Sequence, residues 1–176
     1  MRARAFLPLL IFAALAVVFA LLMMRRMTGD FDPSALQSAL VGQPIPEFHL
    51  QSLDSATLNR AELPNGPYLL NVWATWCISC KAEHAFLNQL SEAGIKIVGL
   101  NYKNERVAAL QWLERLGDPY ILNIADPEGS LGLDLGVSGA PETFIIDAWG
   151  IIRHRVEGPL NERRWRKEVQ SIGLTW

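Results

Sequence analysis

The chain has 176 residues, a length that suits one domain plus an appendage. Half of its residues are hydrophobic, with 13 glycines and 10 prolines, which excludes a disordered or fibrous chain. The net charge of −2 is unevenly spread: Arg2, Arg4, Arg25 and Arg26 sit at the N-terminus, and residues 27–176 hold 12 bases against 18 acids, which argues against nucleic acid as a partner.

Residues 6–24 (FLPLLIFAALAVVFALLMM) carry no charge. As a helix they span roughly 28 Å, enough for a bilayer core. The run passes straight into Leu-Leu-Met-Met-Arg-Arg with no small-x-small cleavage site, so an uncleaved anchor is expected rather than a signal peptide. Arginines flank both ends evenly and orient it weakly; the short N-terminal tail points to N-inside, with the acidic domain translocated. The expected organisation is an anchor over residues 1–26, a linker over 27–45 with a short helix at 33–40, and a domain over 46–176.

Within the domain, PEFHL can form a strand, and a turn-rich stretch follows. Residues 68–74 (YLLNVWA) read as a buried strand. Residues 77–92 show apolar Phe86, Leu87 and Leu90 at helical spacing. A strand is expected at 95–100, a helix at 105–116 closed by Gly117, a strand at 120–124 and a short helix at 127–135. Strands at 143–147 and 151–157 flank A-W-G, a hairpin signal, and a last helix is expected over 162–172. Alternation first and a hairpin last predict a mixed sheet with helices on both faces.

Both cysteines of the chain lie in N-V-W-A-T-W-C-I-S-C-K-A-E-H, residues 71–84. Structural zinc needs four ligands, and only His84 lies near Cys77 and Cys80. Covalent haem attachment needs C-x-x-C-H, and Lys81 occupies the fifth place. A purely structural disulfide across so short a loop stabilises little. A redox dithiol fits the context: the motif follows a buried strand and opens a helix, where unpaired N–H groups and the macrodipole favour the attacking thiolate.

W-A-x-W-C-x-x-C after an apolar strand resembles the thioredoxin active site, and G-A-P-E-T-F, residues 139–144, resembles that fold's cis-proline loop. With the linker D-P-S-A-L-Q-S-A-L-V-G-Q-P-I-P-E-F, and with K-A-E-H, V-G-L-N-Y-K, L-G-L-D-L-G-V and F-I-I-D-A-W-G-I-I-R, nearly the whole chain is similar to the membrane-anchored thiol:disulfide interchange proteins of cytochrome c maturation, the CcmG/DsbE family. The resemblance implies a thioredoxin fold behind a single inner-membrane helix, on the periplasmic side. It implies a reductant without a cofactor or metal, fed by a membrane thiol transporter and acting on apocytochrome c or its dithiol haem-ligation partner. By position, Cys77 is the nucleophile, Cys80 the resolving thiol of a Cys77–Cys80 disulfide, and Pro141, after Ala140, the cis-proline.

Two departures stand out. The family often has proline after its first cysteine, where this chain has Ile78-Ser79, and the buried aspartate of thioredoxin six residues before that cysteine is here Asn71, which cannot titrate. Proton transfer then falls to Glu83, one turn beyond Cys80, to Glu142, beside Pro141, or to water. Trp73 reads as core and Trp76 as a partly exposed contact. His84 reads as a solvated or hydrogen-bonded histidine, Lys81 as surface charge, and His49 and His154 carry no functional reading. An apocytochrome or haem holder that binds without reducing is the competing class, and a thiol peroxidase fits poorly because such enzymes place their cysteine in T-x-x-C.

Overall fold

The structure, a computed structural model, describes residues 7–27 and 40–176, and within the first stretch only residues 11–21 to the side chain. The short helix expected at 33–40 and most of the linker lie outside the described residues. The chain divides into two compact units, Met1–Gln37 and Ser38–Trp176. In the first, α1 runs over Leu7–Met27. Among the described residues no helix is long and apolar enough to cross a membrane; the span expected at 6–24 runs past residues 11–21 at both ends.

The second unit holds seven strands: β1 (His49–Ser52), β2 (Thr57–Asn59), β3 (Tyr68–Trp73), β4 (Ile97–Tyr102), β5 (Leu122–Asp126), β6 (Glu142–Ile146) and β7 (Ile152–Glu157). They form one sheet in the order β2-β1-β5-β4-β3-β6-β7. β3, β4 and β5 are mutually parallel, joined by α2 (Ile78–Glu92) and α3 (Arg106–Leu116), while β6, β7, β1 and β2 pair antiparallel. The mixed sheet of a thioredoxin-like α/β fold is therefore present. All six residues of β3 are buried, as a central strand covered on both faces requires. Leu69 and Trp73 pack with Leu87 and Leu90 of α2, Trp112 and Leu113 of α3, and Leu160, Trp165 and Val169 near the C-terminus. Tyr68, Leu70 and Val72 face the other way, toward Ile45, Phe48, Leu58 and the short α4 (Ser130–Asp134) with Leu131. The period of two along β3 thus divides the molecule into two cores.

Several boundaries differ from expectation. β4 and β5 begin and end about two residues later than the apolar runs imply, because main-chain pairing carries both strands on through Asn101, Tyr102 and Asp126. The turn-rich stretch after β1 contains β2, which pairs back onto β1. The C-terminal helix is α5 (Glu162–Arg164) followed by a π turn, Trp165–Val169, and a 3-10 turn, Gln170–Ile172. The hairpin turn between β6 and β7 is built on Asp147, whose Oδ1 accepts from the N–H groups of Trp149 and Ile151, both at 2.9 Å, while Oδ2 accepts from Arg153 Nε at 2.5 Å. Beyond this turn the outer edge of the sheet at Ile152 is covered by residues 42–44: Gly42 N–H donates to the Ile152 carbonyl at 2.8 Å and Ile152 N–H to Gln43 at 2.9 Å.

Gly99, in the middle of β4, is required by close approach. A Cβ there would lie 2.2 Å from Asn123 Oδ1 and 2.8 Å from Trp73 Nε1, both on buried side chains. Gly99→Ala is expected to destabilise the domain by about 1–3 kcal/mol, as overpacking does, through displacement of Trp73 directly ahead of the dithiol loop. Urea denaturation followed by tryptophan fluorescence measures it, and an unchanged midpoint would show that the strand yields without strain.

Candidate active site

β3 is central and apolar, and its last residue, Trp73, delivers the chain to the carboxyl end of the parallel strands, where loops gather in open α/β sheets. Cys77 is the N-cap of α2, and its Sγ accepts the N–H of Cys80 at 3.0 Å. A helix N-terminus offers unpaired N–H donors and positive potential, so the same geometry favours a thiolate on Cys77. Cys77 and Cys80 are joined as a disulfide with Cα atoms 5.3 Å apart. Both cysteines are buried, Cys77 at 5% and Cys80 at 2% exposure, while Ile78 between them is 88% exposed.

The loop ahead of Cys77 is pinned to the turn after β4. Thr75 donates through its N–H and its hydroxyl to Asn104 Oδ1, at 3.4 and 2.6 Å, and Trp76 Nε1–H donates to the Lys103 carbonyl at 2.9 Å. Lys103 has φ +47°, a left-handed conformation uncommon for a side-chain-bearing residue. Trp76 itself is half exposed, while Trp73 is buried and stacks on Tyr120 with ring centroids 5.5 Å apart. Sequence reasoning missed Asn104 and Lys103; nothing local marks them, because their role is fixed by a partner nearly thirty positions away.

The third wall comes from β6. The Ala140–Pro141 peptide bond is cis. Glu142 sits opposite Val72 in the antiparallel register, which sets Pro141 at the end of β3 that leads to the dithiol. Ala140 packs against the core cluster that contains both cysteines, and the Pro141 carbonyl accepts the N–H of Gly158 at 2.9 Å.

The two glutamates singled out by sequence occupy different surroundings. Glu83 is buried on the dithiol face, its Oε1 accepting from Asn71 Nδ2 at 3.0 Å and its Oε2 from Leu160 N–H at 2.6 Å. Asn71 Nδ2 also donates to Thr143 Oγ1 at 3.0 Å, and Asn71 Oδ1 accepts the Tyr120 hydroxyl at 2.9 Å. Burial pushes the Glu83 carboxyl up to about 7, against the pull of the Leu160 N–H, the Asn71 amide and the Arg164 charge. Glu142 alternates with Thr143 along β6, so it falls on the face opposite Asn71 and Glu83. Its Oε1 accepts the N–H and hydroxyl of Ser138, at 2.9 and 2.8 Å, and the Gly139 N–H at 3.2 Å, while Oε2 pairs with Arg155 at 2.8 Å. Glu142 thus ties down the loop that carries Pro141, and Glu83 is the carboxyl brought beneath the dithiol helix.

His84 is buried and hydrogen-bonded: Nε2 meets the Gly117 carbonyl at 2.8 Å, and Nδ1 accepts from Trp112 Nε1 at 3.4 Å. That network assigns the proton to Nε2 and makes His84 a brace between α2 and α3. Among the described residues no group of His, Cys, Asp or Glu is placed to hold a metal ion.

The raised Glu83 carboxyl has a consequence for stability. Its folded value of about 7 exceeds the ordinary 4.5, so between those values the folded chain binds the extra proton. Stability attributable to Glu83 is complete below pH ~4.5 and is lost as pH rises to ~7. At ~1.4 kcal/mol per pH unit, the difference between wild type and Glu83→Gln is expected to change by on the order of 3 kcal/mol across that window. Denaturant melts at a series of pH values check it; parallel curves for the two proteins would remove Glu83 as the titrating group.

The Redoxin family profile matches residues 40–172. The chain is 53% identical to the thiol:disulfide interchange protein DsbE of Yersinia pestis over 170 residues, covering 95% of this chain and 90% of that protein. It is 53% identical to DsbE of Escherichia coli K12 over 168 residues, covering 94% and 90%. Among solved structures, a DsbF homologue from Corynebacterium diphtheriae superposes with a TM-score of 0.65 at 21% identity, covering 80% of this chain and 96% of that one. A secreted disulfide oxidoreductase of Mycobacterium tuberculosis, homologous to Escherichia coli DsbE, gives 0.62 at 22% identity, covering 70% and 95%; at these identities both speak for the fold. A bonded C-x-x-C pair at the head of a helix, set in this sheet and in a sequence half identical to curated relatives, makes the chain a thiol-disulfide oxidoreductase of the Redoxin family, belonging to the DsbE thiol:disulfide interchange proteins.

Proposed function

We propose that this oxidoreductase is anchored in the inner membrane by residues 6–24, faces the periplasm, and reduces partner disulfides in cytochrome c biogenesis so that apocytochrome c can accept haem. The observation that carries the chemistry is the place of Cys77: N-cap of α2, with the Cys80 N–H on its sulfur. The direction of electron flow and the partners, a membrane thiol transporter as donor and apocytochrome c or its dithiol haem-ligation partner as acceptor, rest on the family resemblance. The anchor rests on the uncharged run at 6–24 and on the helical conformation of Leu7–Met27.

In this reading the reduced protein attacks first through Cys77. Its thiolate displaces one sulfur of the partner disulfide, which leaves as a thiolate and takes a proton from water, and a mixed disulfide forms. Cys80 then gives its proton to the Glu83 carboxylate, one helical turn on, and attacks Cys77 Sγ. The mixed S–S bond breaks and the second partner sulfur leaves. Two electrons have passed to the partner, and Cys77–Cys80 is oxidised, as in this structure. Re-reduction returns two electrons from the membrane thiol transporter.

Cys80→Ser in the full chain is expected to accumulate a mixed disulfide with a partner bearing an oxidised C-x-x-C-H segment, visible on a non-reducing gel, and Cys77→Ser none. Trapping by Cys77→Ser instead would reverse the two roles, and a wild-type protein that binds the oxidised segment without reducing it would be a holder rather than a reductant.

The anchor is checked by washing membranes in alkaline carbonate: the protein is expected in the pellet, and a soluble form beginning near Met27 would mean that the segment is cleaved.

A further inference from the structure

The Asn71 carboxamide lies in the middle of the sheet, fully buried, with both N–H bonds and its carbonyl engaged. An amide in such a place can sit two ways round. With nitrogen toward α2, it donates to Glu83 and suits a carboxylate. With oxygen toward α2, it would meet Glu83 Oε1 lone pair to lone pair unless the carboxyl carried a proton to donate. What selects between the two is the group on the other side of the amide.

That group is Tyr120. It lies just ahead of β5, is buried, and is held by Trp73 through ring stacking and by His84 through an edge contact at 6.4 Å. Its hydroxyl donates to Asn71 Oδ1 at 2.9 Å. Burial, with the Glu83 and Asp118 charges nearby, pushes the phenol well above its ordinary range, so it remains a donor at any working pH. A buried hydroxyl proton left without an acceptor is costly, and Asn71 Oδ1 is the acceptor within its reach. Turning the amide would strand that proton.

We propose that Tyr120 is a positioning residue for the dithiol reaction: its hydroxyl fixes which end of the Asn71 amide meets Glu83, and so keeps Glu83 in the acceptor role toward Cys80. The proposal rests on the reading of Glu83 as the group that takes the Cys80 proton. The charged and titratable groups around Glu83 are Cys80 and His84 on its own helix, Tyr120 ahead of β5, itself near Asp118, and Arg164 from the C-terminal segment; Asn71 of β3 and Thr143 of β6 are neutral. His84 is committed to Gly117 and Trp112, and Arg164 is paired with Glu168 at 2.8 Å. Asn71 is thus the neighbour whose orientation is free to be set.

The test is Tyr120→Phe in the reduced full-length protein in detergent micelles, which removes one oxygen and keeps the ring on Trp73. The Glu83 carboxyl carbon, assigned by its loss in Glu83→Gln, is titrated by NMR. Its midpoint is expected to rise by about one pH unit, a tenfold gain in proton affinity. Asn71→Leu, which removes the amide altogether, gives a second route and is expected to raise the midpoint in the same direction. An unmoved midpoint in either folded variant overturns the proposal. Resolution of a mixed disulfide with a small aromatic thiol, followed by stopped flow, separates the two ideas. In Tyr120→Phe the rate is expected to be several-fold slower near pH 7 and to recover at higher pH, and to lose this displacement in the Glu83→Gln background. A rate lowered by the same factor at every pH, or a displacement that survives Glu83→Gln, overturns positioning through Glu83. A wild-type rate flat through pH 7, beside a midpoint that moves as expected, would leave Tyr120 setting Glu83 and remove Glu83 from the reaction.

Discussion

The buried carboxamide of Asn71 has to be satisfied in the middle of a mostly apolar sheet, and the structure around the dithiol is arranged to do it. Buried polar groups that lack partners are expensive, and fully partnered networks are rigid. Asn71 reaches Thr143 on the neighbouring strand, Glu83 on the dithiol helix and Tyr120 ahead of β5. Those bonds join β3, β6, α2 and the α3–β5 connection at one point. Glu83 extends the join to Leu160, and two residues earlier Gly158 holds the Pro141 carbonyl. The helix that carries the cysteines and the loop that carries the cis-proline are therefore linked through the interior as well as along the sheet.

This arrangement separates two tasks. The dithiol sits at a helix terminus, where main-chain donors are intrinsic to the geometry, with Cys77 and Cys80 themselves buried. The Glu83 carboxyl lies deeper, where burial rather than a partner charge sets it near neutrality. The surface loops on either side are fastened independently, by Asn104 and Lys103 for W-A-T-W and by Glu142 with Arg155 for the proline loop. Rigid flanks leave the exposed Ile78 and Trp76 as a fixed apolar rim beside the sulfurs.

Much of this was legible in the sequence because its signals are local. The mostly apolar run of β3, the helical spacing of Leu87 and Leu90, and Gly117 after α3 each act within a turn or a strand. The dithiol at the head of α2 followed from the same reasoning. What escaped was long-range. Tyr120 read as one more strand residue, since nothing near it shows that its hydroxyl meets a side chain 49 positions away. Asn71 was recognised as unable to titrate, but its use as an oriented donor depends on the register of three elements. Glu83 and Glu142 were indistinguishable as acids beside a motif; strand alternation and the packing of α2 put them on different faces. β2 escaped because three residues in a turn-rich stretch carry no periodicity of their own.

The edges of the sheet bear on how another polypeptide can approach. An open strand edge invites a stranger's backbone to pair with it, in aggregation or in strand addition. Here one outer strand, β2, is only three residues long. The other, β7, is capped at Ile152 by residues 42–44, and beyond the cap it presents Arg153, His154 and Glu157. Neither border offers a flat apolar ladder. An extended polypeptide is steered away from the flanks and toward the end of the sheet where the dithiol lies, so borders that discourage strand pairing also restrict which part of such a chain the protein can engage.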